Sequence, residues 1–410
     1  MNPIFTSEFF INNRTRLKQT AETTAPVVIT ANGLLQSGGD TSYPFNQDAS
    51  FWYLTGCDMP DVILVCHPDG DYLIVPSRAG SRVDFDGQID HQRLAKVSGI
   101  KLILDETKGW QLLNDQLNKA KQVATLVAAP VYIKAFGMYT NPARQTLIEK
   151  LKLNRRQFNV LDLTREIAQL RVIKQPTEII AIQKAVDITI ASLEHIQKRA
   201  KAGAYHFEYE VEAELNRDFR RLGGRGHAFA PIVAGGIRAC TLHNVQNDGQ
   251  LQPSELLLCD VGADYQHYAA DLTRTFSIGV PTNRQQALYA AVLETQVFAL
   301  AILKPGVLLK EYEQKVRQFL GIKLRELGLI TIVNQKNISR YLPHAVSHYL
   351  GLNTHDIGFY SEPLKPGMVL TVEPGIYVPK EAIGIRIEDD VLITETGNRV
   401  LSSHLSHGLS

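Results

Sequence analysis

The sequence predicts a mixed α/β protein of two domains, an N-terminal α/β domain over residues 1–165 and a C-terminal α+β domain over residues 170–410. Three observations lead there. The chain has 410 residues, more than one ordinary hydrophobic core organises. Its first 160 or so residues alternate short apolar runs with polar helical stretches. The remainder repeats an order of long helix, glycine, second helix and strand pair at an offset of about 103 residues.

In the first part, VILVCHP (62–68) and YLIVPS (72–77) read as strands joined by the turn Asp69-Gly70-Asp71. LVAAPVYI (126–133) and FNVLDL (158–163) read as further strands, and WQLLNDQLNKAKQ (110–122) has helical spacing. LDLTREIAQLRVIKQPTEI (161–179) is a charged amphipathic connector, with the domain boundary near residue 170. Pro176 suits the first turn of a helix, and Ile179, Ile182, Val186, Ile190 and Leu193 keep one face apolar. That helix ends at Lys201-Ala202-Gly203; a second opens at Glu208-Tyr209-Glu210 and ends near Gly223. The pattern returns in a helix over 283–303 that ends at Lys304-Pro305-Gly306 and in another that carries Glu311-Tyr312-Glu313 and ends near Gly328. His243 lies 105 residues before His348, which extends the repeat.

Each helix pair leads into two strand-like runs. These are ELLLCDVGADY (255–265) with YAADLTRTFSIG (268–279), then GMVLTVEPGIYV (367–378) with IGIRIEDDVLIT (383–394). The architecture implied is two helices plus a β-hairpin, duplicated about a pseudo-twofold axis, with the strands lining one cleft.

Composition narrows the function. A net charge of +1 with scattered Lys and Arg points away from nucleic acid and anionic membrane surfaces. No stretch approaches the ~18 uninterrupted apolar residues of a membrane span. The opening MNPIFTSEFFINNRTRLKQ lacks the basic start and apolar run of a signal peptide. Cys57, Cys66, Cys240 and Cys259 form no C-x-x-C pair and read as reduced core thiols of a cytoplasmic protein.

Three of the twelve histidines, His344, His348 and His355, fall in HAVSHYLGLNTHDIG. Taken alone, the stretch fits a solvated loop as well as a metal or catalytic centre. The acids decide more. Asp260 follows LLLC, Asp271 precedes LTRTF, Glu373 follows VLTV and Glu388 follows IRI, each where a strand should bury apolar groups. Asp260 and Asp271 lie 11 apart across a turn around Tyr265-Gln266-His267 and are expected to face each other on paired strands. Period-two alternation puts Arg386 and Glu388 on one face, Ile385 and Ile387 on the other. Four anions in a half-buried cleft repel one another and lose hydration. Two divalent cations balance them, and His348 completes a five-donor set suited to Mn(II), Co(II) or Zn(II). Such a centre acidifies a water and polarises a carbonyl, which is hydrolytic chemistry.

CDVGADYQHYAADLTRTFSIG, HAVSHYLGLNTHDIG, LTVEPGIYV and IRIEDDVLIT, in this order, resemble the motifs of the pita-bread metallopeptidases, the creatinase and methionine aminopeptidase superfamily. Within it the sequence looks most like aminopeptidase P, the Xaa-Pro aminopeptidases. The likeness spans residues 161 to 395 or so, and DTSYPFNQDASFWYLTG (40–56) resembles the start of the aminopeptidase P N-terminal domain. The resemblance implies a creatinase-like N-terminal domain before a pita-bread catalytic one. It implies release of the first residue from peptides with proline second, through a hydroxide bridging two metal ions, with Mn(II) the leading candidate and Co(II) or Zn(II) as alternatives. It implies a homodimer or homotetramer. It makes Asp260 the chelator of one metal, Asp271 and Glu388 the bridges, and His348 and Glu373 the ligands of the other. Glu373 becomes the proton shuttle as well, His243 a substrate-side group, and His355 a contact of the scissile carbonyl and its oxyanion. His344 lies beside the prolyl subsite, and Arg386 and Tyr377 line or support the cleft.

The family usually has a small polar residue where Ala345 stands, Val or Ile at Thr354, and often Tyr at Asn244. Some relatives carry a Trp that reaches a neighbouring subunit; the comparable stretch here has only Phe85. A prolidase, acting on Xaa-Pro dipeptides, is the nearest competing reading. A non-catalytic binding protein of the same fold, or a creatinase-like hydrolase, would be expected to lack part of the five-donor set that this chain retains.

Overall fold

A computed structural model describes residues 4–78, 80–127, 137–153, 155 and 158–409. The chain divides into two units, Met1–Leu170 and Arg171–Ser410. No helix among the described residues is long and apolar enough to cross a membrane.

The first unit contains α1 (Ser7–Ala21), β1 (Val27–Thr30), α2 (Ala49–Thr55), β2 (Ile63–Cys66), β3 (Tyr72–Val75), α3 (Ser81–Asp86), α4 (His91–Ser98), β4 (Leu102–Asp105), α5 (Glu106–Ala120), β5 (Gln122–Thr125), α6 (Ala143–Lys152) and β6 (Asn159–Asp162). Its strands form one six-stranded sheet in the order β4-β3-β2-β1-β5-β6. The expected 62–77 hairpin is the antiparallel β2–β3 pair, and the expected 110–122 helix starts earlier, at Glu106. Trp110, Leu113 and Leu117, spaced for one helical face, pack with Val28, Val65, Ile74 and Val123 of the sheet. Most of the LVAAPVYI run lies outside the described residues.

Helix α7 (Thr164–Val172) contains the division between the units. In the second unit come α8 (Pro176–Lys201), α9 (Glu208–Arg221), β7 (Gly226–His227), β8 (Ile232–Gly235), β9 (Leu256–Val261), β10 (Ala263–Tyr265), β11 (Tyr268–Ala269) and β12 (Leu272–Ser277). They are followed by α10 (Asn283–Ile302), α11 (Leu309–Glu326), α12 (Gln335–Ile338), β13 (Val369–Val372), β14 (Gly375–Val378), β15 (Ile383–Arg386), β16 (Asp389–Ile393) and β17 (Asn398–Val400). Pro176 opens α8, whose capping box uses Gln175 and Glu178. Gly203 and Gly306, after α8 and α10, take φ of 68° and 82°, left-handed values that glycine adopts without strain.

The four strand-like runs are each broken, and the breaks position the acids. An outer hairpin (β9–β12) continues into an inner one (β10–β11), and the second half repeats this with β13–β16 outside β14–β15. Asp271 lies in the gap between β11 and β12, Glu373 between β13 and β14, and Glu388 between β15 and β16. Pro374 has no N–H to continue a ladder. At Gly262 a Cβ would sit 1.7 Å from the Ala270 carbonyl oxygen, so only glycine lets the two strands approach there.

The register corrects one expectation. Asp260 pairs with Thr273, not Asp271. Asp271 lies two residues before Thr273 and therefore on the same face, diagonal to Asp260. The turn at Gln266-His267 tightens the inner hairpin to two residues, both left-handed with φ of 49° and 72°.

Candidate metal centre

Thr273 is the hub of the centre. Its hydroxyl donates to Glu388 Oε2 at 2.6 Å and accepts from Arg386 Nε at 3.1 Å. Arg386, 3% exposed, also donates through Nη2 to Asp260 Oδ2 at 2.5 Å and through Nη1 to the Tyr377 hydroxyl at 2.7 Å. Ile385 and Ile387, on the opposite face, belong to the hydrophobic core. The Tyr377 hydroxyl donates onward to His344 Nε2 at 2.8 Å. That leaves His344 Nδ1 as a donor, 2.7 Å from the Ala345 carbonyl and 3.3 Å from Glu373 Oε2. A chain of contacts thus runs Arg386–Tyr377–His344–Glu373, hydrogen-bonded as far as His344 and closed by the 3.3 Å approach to Glu373.

His348 is oriented from behind. Its Nδ1 donates to the Tyr349 carbonyl at 3.1 Å, which turns Nε2 toward Asp271 Oδ2 at 3.5 Å and Glu373 Oε1 at 3.7 Å. The His355 ring lies 4.1 Å from that of His348, centroid to centroid. His243, on the segment after the 3₁₀ turn Gly236–Cys240, is exposed, and its charge is felt at His355. The two acids after Glu388 are buried too. Asp390 Oδ2 accepts the Asp271 backbone N–H at 3.0 Å. Thr273 and Asp390 were not among the sequence candidates. Alternation from Asp271 reaches Thr273 and offered a signal for it; a run of three acids in an apolar strand offered one for Asp390.

A family model described as metallopeptidase family M24 matches residues 180–395, more than half of the chain. The chain belongs to metallopeptidase family M24. A second model, the aminopeptidase P N-terminal domain, matches residues 10–125. Among similar proteins are the Xaa-Pro aminopeptidase of Escherichia coli (strain K12), 31% identical over 98% of this chain and 96% of its own, and that of Haemophilus influenzae, 32% identical over 97% and 94%. Human Xaa-Pro aminopeptidase 3 is 33% identical over 92% of this chain and 78% of its own. Solved structures agree: the low-pH form of E. coli aminopeptidase P superposes with a TM-score of 0.85 at 29% identity, covering 99% of this chain and 97% of that one. A zinc-substituted form of the E. coli enzyme, in complex with product, gives 0.86 at 28% over the same shares. The expected aminopeptidase P resemblance and two-domain α/β fold are borne out, and this M24 chain is a peptidase of the metal-dependent class.

The donor set fits divalent cations on its own evidence. Asp260 Oδ1 is buried with no hydrogen-bond partner. Among the described residues, Asp271, His348 and Glu388 each offer a donor atom within 4.8 Å of the others. Without cations the charges are badly compensated. Burial, with the charges of Asp260 and Glu373, pushes the Asp271 carboxyl up to about 7. Burial and then the charges of Asp271, Glu373 and Asp260 push Glu388 well above the carboxylate range. Burial works against the His348 imidazolium, but contact with Asp271 and the charges of Glu373 and Asp271 outweigh it and raise His348 to about 9. Burial would also raise Glu373, yet its contact with His344 prevails and holds it below its ordinary value. A cluster that must borrow protons to be tolerable is one that cations complete.

Proposed function

We propose that this M24 peptidase removes the N-terminal residue from peptides whose second residue is proline, using two divalent cations, Mn(II) first among them. The observation that carries the reading is the buried donor cluster of Asp260, Asp271, His348, Glu373 and Glu388, tied to the Arg386–Tyr377–His344–Glu373 chain, in a sequence alike over nearly its whole length to Xaa-Pro aminopeptidases. Asp260 would hold one ion, His348 and Glu373 the other, and Asp271 and Glu388 both. Cations bound there supply charge that acidifies a water and polarises the scissile carbonyl.

The protein's own groups do the rest. Glu373 receives the water's proton and passes it to the leaving nitrogen, with His344 at 3.3 Å steadying its charge. His355, beside His348, donates to the developing oxyanion, and His243 faces the substrate. His344 lies beside the prolyl subsite, and Tyr377 and Arg386 line or support the cleft. An Xaa-Pro bond is a tertiary amide without an N–H, so a site that grips the carbonyl loses nothing by that absence. The four unpaired cysteines support a reducing, cytoplasmic setting. The protein acts as a homodimer or homotetramer, with no nucleic-acid partner. The N-terminal domain spans residues 1–165 and the catalytic domain 170–410.

The test is a peptide panel with metal content measured alongside. A tripeptide with proline second and a free N-terminus should lose its first residue, and its N-acetyl form should not. Cleavage of the acetylated peptide refutes the aminopeptidase; cleavage of the dipeptide alone converts the reading to a prolidase.

A further inference from the structure

Between Tyr341 and Tyr349 the chain that carries His344 and His348 has no regular secondary structure. Its backbone groups therefore find partners one by one. On one side the strands supply them. Glu373 N–H donates to the Val346 carbonyl at 2.8 Å, Thr371 N–H to the His348 carbonyl at 2.9 Å, and Tyr377 N–H to the Tyr341 carbonyl at 3.0 Å. On the other side stand two residues of α11. Glu313 Oε1 accepts the Val346 N–H at 2.5 Å and the Ser347 N–H at 3.0 Å. Arg317, 3.5 Å from Glu313 Oε2, donates to the Leu342 carbonyl at 3.0 Å and to the His344 carbonyl.

We propose that Glu313, backed by Arg317, is a positioning residue of the reaction: it clasps the histidine loop and so sets where His344 and His348 point. What those two histidines do rests on the function proposed above; the clasp itself does not. A carboxylate holding two adjacent amides is a strong, short restraint. The two amides it holds lie between the two histidines, so a shift there moves both rings against Glu373. The first half of the unit uses the same device. Glu208, fully buried at the start of α9, accepts the Gly235 N–H at 2.7 Å, Arg238 Nε at 2.6 Å and the Gly249 N–H at 2.9 Å, bracketing the segment that carries His243.

The experiment compares Glu313→Ala and Glu313→Gln in the full chain by amide hydrogen exchange, Mn(II) titration and kinetics on tripeptides with proline or alanine second. Glu313→Ala should expose the Val346 and Ser347 amides to faster exchange and weaken Mn(II) binding by roughly tenfold, the scale of a lost partner behind a ligand. Its kcat on the proline peptide should fall by roughly 10- to 100-fold, with less discrimination against alanine. Glu313→Gln keeps an acceptor oxygen and should recover most of each loss. Unchanged exchange at those amides overturns the clasp. Faster exchange with unchanged Mn(II) affinity, kcat and KM overturns the positioning role, as does a Gln variant no better than Ala. If Glu313→Ala does not fold, Glu313→Gln and Arg317→Lys carry the same three readouts. A wild-type protein that leaves proline peptides intact defeats the proposed function, while exchange and Mn(II) binding still decide the clasp.

Discussion

Glu388 and Asp389 are chain neighbours, both buried, and their surroundings are opposite. Asp389 is saturated: Arg274 Nη2 donates to it at 2.7 Å, Ser402 Oγ at 2.6 Å, Gln296 Nε2 at 2.8 Å, and His407 Nε2 lies 3.1 Å away. Burial disfavours its charge, but Arg274 and His407 outweigh that and hold its carboxyl well below the usual range. Among the described residues the Glu388 carboxylate has one donor, the Thr273 hydroxyl, and burial together with the charges of three other carboxylates raises it. A carboxylate that holds the fold together is given its counter-charge by the chain. Glu388, a ligand in the proposed reading, is left short of counter-charge, a shortage that a cation would make good.

The largest expected effect lies on the undersupplied side. His348→Ala should lose cation and activity together, with kcat/KM falling at least about 10³-fold, some 4 kcal/mol of transition-state stabilisation. Metal analysis and kinetics check it. Retention of two ions at wild-type affinity would remove His348 from the donor set.

The next test breaks the comparison at its centre. Asp389→Asn strands Arg274 as a buried, unpaired cation and should cost about 3–5 kcal/mol of stability. The same amide swap one residue earlier, Glu388→Gln, should raise the stability of the metal-free protein by about 1 kcal/mol, because a neutral amide need not take up a proton on folding to be tolerated beside the other carboxylates. Urea unfolding after chelation measures both. Equal signs at the two positions would mean that the charges of the cluster are already balanced.

The smallest effect is a pH trend. In the metal-free protein Asp271 stands at about 7 against an ordinary 3.8, and His348 at about 9 against 6.5. Both hold their proton more tightly folded than unfolded. Their contribution is complete at low pH and is lost as pH rises, through about 7 for Asp271 and about 9 for His348. The Tm of chelated protein should therefore drop by a few degrees between pH 6 and 9, and saturating Mn(II), which competes with those protons, should abolish the drop. A Tm of chelated protein that rises over that range would contradict the assignment.

Helices and acids are legible in the sequence for local reasons. Pro176 and the apolar spacing from Ile179 to Leu193 mark α8, and a carboxylate after LLLC or VLTV stands out against the strand around it. Other features have no local signature. Alternation suggests that Asp260 and Asp271 face each other, but the break at Gly262 and the pairing of Asp260 with Thr273 set them on a diagonal. The run Glu388-Asp389-Asp390 reads as three equal acids. Their partners come from 13 to 119 positions away, at Ser402, His407, Gln296, Thr273, Arg274 and Asp271, and only those partners set the candidate ligand apart from the acid that is neutralised by the chain. Glu313 is likewise unremarkable on the surface of an amphipathic helix until the histidine loop folds over it.

The nesting of the hairpins has a consequence for how the protein is made. Thr273 and Glu388, bonded at 2.6 Å, are 115 positions apart, and Asp271 and Asp390 are 119 apart. Contacts of that span form only after the intervening chain has been closed into a loop. A chain emerging from the ribosome presents Asp260 and Asp271 first and Glu388 last. Until the final hairpin has been extruded and paired, the proposed donor set is incomplete. A peptidase built on the proposed donor set thus gains its last ligand only when its own synthesis is nearly done.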